Sequence, residues 1–276
     1  MTPTTKPEQP PKVTPADTVD EIVAVSKRQK YFPLRREFLQ RTVDGKPAPG
    51  PLSALMRAGD QRALLLYLLL LTKASAVPWD AALPSTVWAR ALGLPLPATR
   101  GARSTVSKIW LRLENHGLIR RRRSKRWADV FLLREDGLGD EYTNPGEVGD
   151  RYVRIPLALW REGPGPRLRW YQELSLPELA VLLIARSLAD GFRLPYEMGP
   201  EWYGISADTI ARGIDGLVKQ GLLRVNKTFK KAPLSPVGYT AEHRYTLREP
   251  FGPVGRKTAP RAALVQPASK AHSKTG

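Results

Sequence analysis

Six cations fall within seven positions, at Arg120, Arg121, Arg122, Arg123, Lys125 and Arg126. Side chains of this kind hold anions. A short hairpin cannot bury six like charges, and they repel one another unless an anion lies among them. Phosphates supply that anion, with counterion release favouring the contact at moderate salt. Just upstream, Arg103, Ser104, Ser107, Lys108 and Arg112 line one side of a run whose other side is Val106, Trp110 and Leu113. That spacing predicts a helix with an apolar inward face and a polar outward face. Arg and Lys suit guanine O6 and N7, and Ser can serve a base or a phosphate. The competing reading of both clusters is an ordinary solvated surface.

Other chemistries lack their residues. No cysteine is present, which excludes disulfides and thiolate metal sites. His116, His243 and His272 are too far apart in sequence to form a ligand-spacing motif. There is no P-loop and no dinucleotide glycine pattern. GPGPR at 163–167 is glycine-rich but lacks a lysine-serine end, and Tyr142, Tyr171 and Tyr245 have no clustered histidines beside them. The chain is therefore expected to be no enzyme, to hold no metal and to need no cofactor.

The elements that must position these clusters belong to a chain of 276 residues with 44 Lys and Arg against 26 Asp and Glu, a formal net charge of +18. That excess points to nucleic acid, an anionic membrane or an acidic protein as partner. The most apolar run, ALLLYLLLL at 63–71, is shorter than the about 20 residues a membrane helix needs and reads as a buried helix. The N-terminus has no apolar signal core. A soluble, cytoplasmic, nucleoid-associated protein with no membrane partner is expected.

A shift of 104 positions aligns residues 102–120 with 206–224. Thr105 then meets Thr209, Val106 meets Ile210, Trp110 meets Ile214, Leu113 meets Leu217 and Gly117 meets Gly221. In each copy a helix ends on a glycine suited to the left-handed conformation, and a strand follows. Asp60 is placed to cap a helix through the leucine run, Ser85 a short second helix, and Ser175 with Glu178 forms a capping box for a helix to Ala189. Each copy ends in a ribbon. The first spans about 118–133 and turns at 123–125. The second pairs 222–227 with 244–248 across a longer loop carrying Lys227, Lys230 and Lys231.

This order, helix, helix, turn, helix and hairpin, resembles the winged helix-turn-helix family in both halves, on STVSKIWLRLENHGLIRRRR at 104–123 and SADTIARGIDGLVKQGLLRVNK at 206–227. The resemblance implies a mainly α fold with small β-hairpins (α+β) and two tandem winged helix-turn-helix domains with disordered basic tails. The boundaries expected are a disordered tail at 1–26, a first domain at 27–136, a linker at 137–150, a second domain at 151–249 and a basic tail at 250–276. In the family the third helix generally enters the DNA major groove and the hairpin lies along the backbone or minor groove. The expected partner is double-stranded DNA. The expected contacts are the clusters named above, with Ser206, Thr209, Arg212, Lys227, Lys230 and Lys231 in the second copy. Asp208 and Asp215 make that second surface less basic, which leaves selective reading, weak binding or dimerisation with a second copy as its roles.

Within the N-terminal extension, Phe32, Leu34 and Phe38 are expected to pack inward while Lys27, Arg28, Lys30, Arg35 and Arg36 point out as a secondary contact. Trp110 and Trp127 are assigned to the first core. Trp160, Trp170 and Tyr171 are placed in the second core or at an interface between copies. Three roles fit the reading: a transcriptional regulator, a replication initiator at repeated origin sites of a plasmid or mobile element (which tandem winged helices also resemble), or a nonspecific architectural or protein-interaction module.

Overall fold

The computed structural model describes residues 11–95, 100–123, 127–146, 150–161 and 169–252. The sequence readings on residues 1–10 and 253–276, the GPGPR segment, Lys125 and Arg126 lie outside these residues, whereas Phe251, read as the start of a disordered tail, is fully buried against Trp170. Helices and small antiparallel sheets alternate in an α+β arrangement. Among the described residues, no helix is long and apolar enough to cross a membrane.

The first half opens with α1 (Pro15–Ala24). Thr14 and Asp17 form a capping box at its start, and Val19, Ile22 and Val23 are buried. This corrects the expectation of disorder through residue 26: the proline-rich composition hid a short amphipathic helix with its own cap. Strand β1 (Tyr31–Arg35), the hairpin β2 (Gln40–Val43) and β3 (Lys46–Pro49), and α2 (Leu52–Arg57) follow. Helix α3 (Gln61–Lys73) is the leucine run, capped by Asp60, which accepts from the Ala63 amide at 3.1 Å. Next come β4 (Asp80–Ala82), α4 (Ser85–Ala91), α5 (Arg100–Asn115), β5 (Ile119–Arg123) and β6 (Ala128–Leu132). Strands β4, β6 and β5 form one three-stranded sheet in that order. Ser85 does not cap α4: Pro84 holds that place in extended geometry with no side-chain bond, and Ser85 is the first helical residue.

The second half repeats the plan with β7 (Tyr152–Pro156), α6 (Trp170–Glu173), α7 (Leu176–Ser187), α8 (Gly199–Tyr203), α9 (Ala207–Lys219) and the hairpin β8 (Leu223–Lys231) and β9 (Tyr239–Leu247). The capping box at Ser175 and Glu178 is present. Helix α7 stops at Ser187, two residues short of expectation, because Leu188 turns extended. A single bridge, Phe192 to Tyr245, stands where the first half has β4. Helices α7 and α9 cross closely at Gly213, where a Cβ would sit 2.5 Å from the Pro177 carbonyl oxygen.

The halves share one buried cluster. Strand β1 pairs antiparallel with β7, so the entry strand of each half completes the other's. Trp160 stacks near Phe32 and Tyr171, and its indole donates to Thr72 Oγ1 on α3 at 2.9 Å. Arg169 clamps Asp20 of α1 with two bonds of 2.7 and 2.8 Å.

Arg35 was expected to face solvent and instead is fully buried. It pairs with Glu135, donates to Asp150 at 2.8 Å and gives two further bonds to Thr143, while Tyr142 stacks on its guanidinium. The reason is that β1 is covered on both faces from Phe32 onward and distant carboxylates meet the guanidinium there. The described part of 137–150, read as a linker, is thereby fastened to β1.

Candidate nucleic-acid interface

Helix α5 is held by its inward residues. Val106, Ile109, Trp110 and Leu113 are buried, and Trp110 meets Trp88 of α4 edge-on with ring centres 5.4 Å apart. Arg103, Ser104, Ser107 and Lys108 are exposed on the outer side. Arg112 is not free like its neighbours. Its Nε donates to Asp60 at 2.5 Å, and Asp60 already caps α3, so this pair fastens α5 to α3.

Gly117 ends α5 with φ of +64°, and a Cβ there would sit 2.5 Å from the Gly137 carbonyl oxygen. Only glycine meets both demands. The chain then enters β5, paired to β6 from Ile119–Leu132 to Arg123–Ala128. Side chains alternate along it. Arg120 and Arg122 share the face that bears Phe131, with guanidinium carbons 5.7 and 5.1 Å from the ring centre. Arg121 points the other way. Its backbone N–H and its Nε each donate to the Glu114 carboxylate, at 2.8 and 2.7 Å, which ties the strand to the last turn of α5.

The anions that the sequence reading assigned to an outside partner are partly supplied by the chain itself. Arg120 pairs with Glu141 at 2.7 Å and Arg122 with Asp129 at 3.2 Å. Both guanidinium groups stay more than half exposed, at 55% and 71%. Exposed pairs of this kind contribute only about 0–1 kcal/mol, so a phosphate can take either arginine from its carboxylate. Arg121, at 26% exposure with three bonds to one glutamate, is a structural residue of the hairpin root. Among the described residues, Arg103, Lys108 and Arg123 are cations of this surface with no ion pair. Trp127 is 39% exposed, contrary to its assignment to the core. It has the parity of Phe131 on the outer face, whereas Val130 and Leu132 point inward.

No family model, curated protein or solved structure matches this chain.

The second copy is built differently. Ser206 caps α9, accepting from the Thr209 amide at 3.2 Å and donating its hydroxyl to Thr209 Oγ1. Arg212 pairs with Asp208 one turn back at 3.0 Å, both largely exposed. The outer face of α9 thus has its cation locally compensated, where α5 leaves Arg103 and Lys108 uncompensated.

The β8–β9 hairpin is longer than the sequence reading placed it, nine residues a strand, so Lys230 and Lys231 are strand residues and not loop residues. The two faces divide by parity. Arg224, Asn226, Thr228 and Lys230 lie across from Thr246, Arg244, Glu242 and Thr240. Glu242 is covered there by Lys230, by Arg244 at 2.9 Å and by Arg193 at 3.2 Å. The hydrogen bond from Lys230 holds its carboxyl below the ordinary glutamate value, and Arg193 and Arg244 add to the effect. The other face starts in the core with Leu223, Tyr245 and Leu247 and continues outward through Lys227, Phe229 and Lys231. Sequence reading missed Arg193, Glu242 and Arg244. Of these, Glu242 lies in the segment read as a loop, Arg244 is already placed in the second strand, and Arg193 comes from outside the hairpin.

Proposed function

We propose that the chain is a sequence-specific double-stranded DNA-binding protein made of two tandem winged helix-turn-helix units. The observation that carries this reading is the face of α5. Four polar or cationic residues stand exposed on a helix that is fixed from behind, beside a hairpin that holds Arg120 and Arg122 outward in exchangeable pairs and leaves Arg123 without one. Helix order α3, α4, α5 with the sheet order β4-β6-β5 supports the winged-helix assignment, because it sets the last helix and the last hairpin side by side. In this reading Arg103, Ser104, Ser107 and Lys108 meet base edges and phosphates in the major groove. Arg120, Arg122 and Arg123 hold the backbone and fix register without reading sequence. Transcriptional regulation is the leading role.

One observation favours the second role, initiation of replication at repeated sites. The two helix faces differ in charge and lie on one chain, so a single molecule reads an asymmetric site. Asymmetric sites are suited to head-to-tail repeats, whereas a homodimeric regulator is suited to a palindrome. Selection of bound duplexes from a random pool, then footprinting on the element that encodes the chain, tests both roles. A protected single operator supports regulation. Protected tandem repeats support initiation. Absence of binding at low ionic strength overturns the DNA reading altogether.

A further inference from the structure

The outer face of the β8–β9 hairpin carries apolar surface that the fold does not use. Phe229 is 61% exposed and Tyr239 is 47% exposed, far from the buried root at Leu223 and Leu247. Their rings meet edge-on with centres 5.2 Å apart, and the Lys227 ammonium lies 5.3 Å from the Phe229 ring centre. Lys231 sits beside Tyr239 in the strand register. Neither strand has an Asp or Glu with the parity of this face. The hairpin's carboxylate, Glu242, is on the opposite face and is occupied by three cations.

We propose that this face is a stacking platform for unpaired bases of DNA, with Phe229 and Tyr239 taking the bases and Lys227 and Lys231 the flanking phosphates. The proposal rests on the DNA-binding reading and adds a second kind of DNA to it. Phenylalanine has no hydrogen-bonding group, and the π-face of an unpaired base is the nucleic-acid surface that matches an exposed ring beside lysines. Inside an intact duplex that face is covered by the neighbouring pair. Charge decides against a second copy of this chain as occupant: the face is cationic and so is the chain, at +18. It decides equally against a neutral apolar partner, which would leave Lys227 and Lys231 without counter-charge. The geometry of the strand pair supplies the projection. At antiparallel rise each nine-residue strand is about 30 Å long, and apart from its root and Glu242 on the opposite face the hairpin is largely exposed, which leaves both rings open to solvent.

The test uses the full chain and two probes, one fully paired duplex and the same duplex with a central unpaired bubble. Three proteins are compared: wild type, Phe229→Val with Tyr239→Thr, and Phe229→Tyr with Tyr239→Phe. Val and Thr are good strand formers without rings, so the first variant keeps the hairpin and removes the platform. The second keeps both rings. Wild type is expected to prefer the bubble by about tenfold, the scale of a single base stack. The ring-free variant is expected to lose that preference while its duplex affinity stays, and the ring-swapped variant to retain it. Equal wild-type affinity for the two probes overturns the proposal and leaves duplex binding standing. A preference that survives ring removal overturns it too. Self-association of the DNA-free protein that the ring-free variant abolishes assigns the face to a second copy and likewise overturns it. Binding to neither probe sinks the duplex reading together with this one.

Discussion

Pro33 lies opposite Arg154 at the midpoint of the β1–β7 pair, and the bonds around them mirror one another. The Arg36 amide donates to the Arg151 carbonyl at 2.9 Å, and the Leu157 amide donates to the Lys30 carbonyl at 3.0 Å. After each strand comes one turn of 3-10 helix, at Arg36–Phe38 and Leu157–Leu159. A local dyad therefore relates the entries of the two halves. The dyad is broken at the surfaces that α5 and α9 present, since Lys108 faces solvent without an ion pair and Arg212 is paired to Asp208.

Under the proposed function, unlike helix faces at α5 and α9 on one chain should select a bipartite site with unrelated halves. Lys108→Ala is expected to relax preference in one half only, at a cost of about 1–3 kcal/mol in discrimination. Arg212→Ala is expected to relax the other half or to leave preference unchanged, never to affect the same bases. Selection from a random duplex pool with each variant reads this directly. Loss of preference at identical positions in both variants would show that the two helices do not divide the site.

The hairpin arginines separate into two classes that mutation can distinguish. Arg122→Gln with Arg123→Gln removes two exposed cations and should weaken binding to all duplexes alike. The slope of log affinity against log salt should fall by about one for each phosphate that is no longer neutralised. Arg121→Gln breaks the link to Glu114 and should lower thermal stability, with a smaller change in that slope. An unchanged slope in the double variant removes the hairpin from the DNA interface.

What could be read from sequence was local. Asp60, the pair Ser175 and Glu178, and the terminators Gly117 and Gly221 act within three or four positions, so their spacing alone carries the geometry. Helix α1 was equally local, with Thr14, Asp17, Val19, Ile22 and Val23 in helical register, and a proline-rich neighbourhood obscured it. Arg35 and Arg36 are neighbours of one type, and nothing near them tells which is buried. The difference is made by Glu135 and Asp150, 100 and 115 positions away. The hairpin arginines lie between these cases. Strand alternation separates Arg121 from Arg122 in the sequence, and each finds its carboxylate seven positions away.

Arg35 has a predictable weight. Its removal leaves Glu135 buried without a counter-charge, a change that costs about 3–5 kcal/mol when a buried pair is broken on one side. Arg35→Met keeps the stem volume and is expected to lower the unfolding free energy read from urea titration by that amount. Arg35→Met combined with Glu135→Leu replaces the pair by apolar groups and should recover much of the loss. Asp150 still needs Arg134, which pairs with it at 3.0 Å, so full recovery is not expected. A single variant as stable as wild type would mean that Glu135 is neutral or hydrated in the fold.

Glu242 makes the long hairpin sensitive to acid. Lys230 donates to its carboxyl and depresses it below the ordinary value, with Arg193 and Arg244 in support. A depressed carboxyl contributes stability that is present above the unfolded value, about 4.3 for glutamate, and is lost as pH falls through the lower folded value. Order in β8 and β9 beyond their buried root should therefore weaken only in that acidic window and be constant from there to neutrality. NMR titration of the Tyr239 and Lys230 amides follows it. In Glu242→Gln the three cations lose their shared anion at every pH, so the hairpin should be looser at neutrality and its acid transition absent. A wild-type transition near neutrality, or one that persists in the Gln variant, would place the responsible group elsewhere.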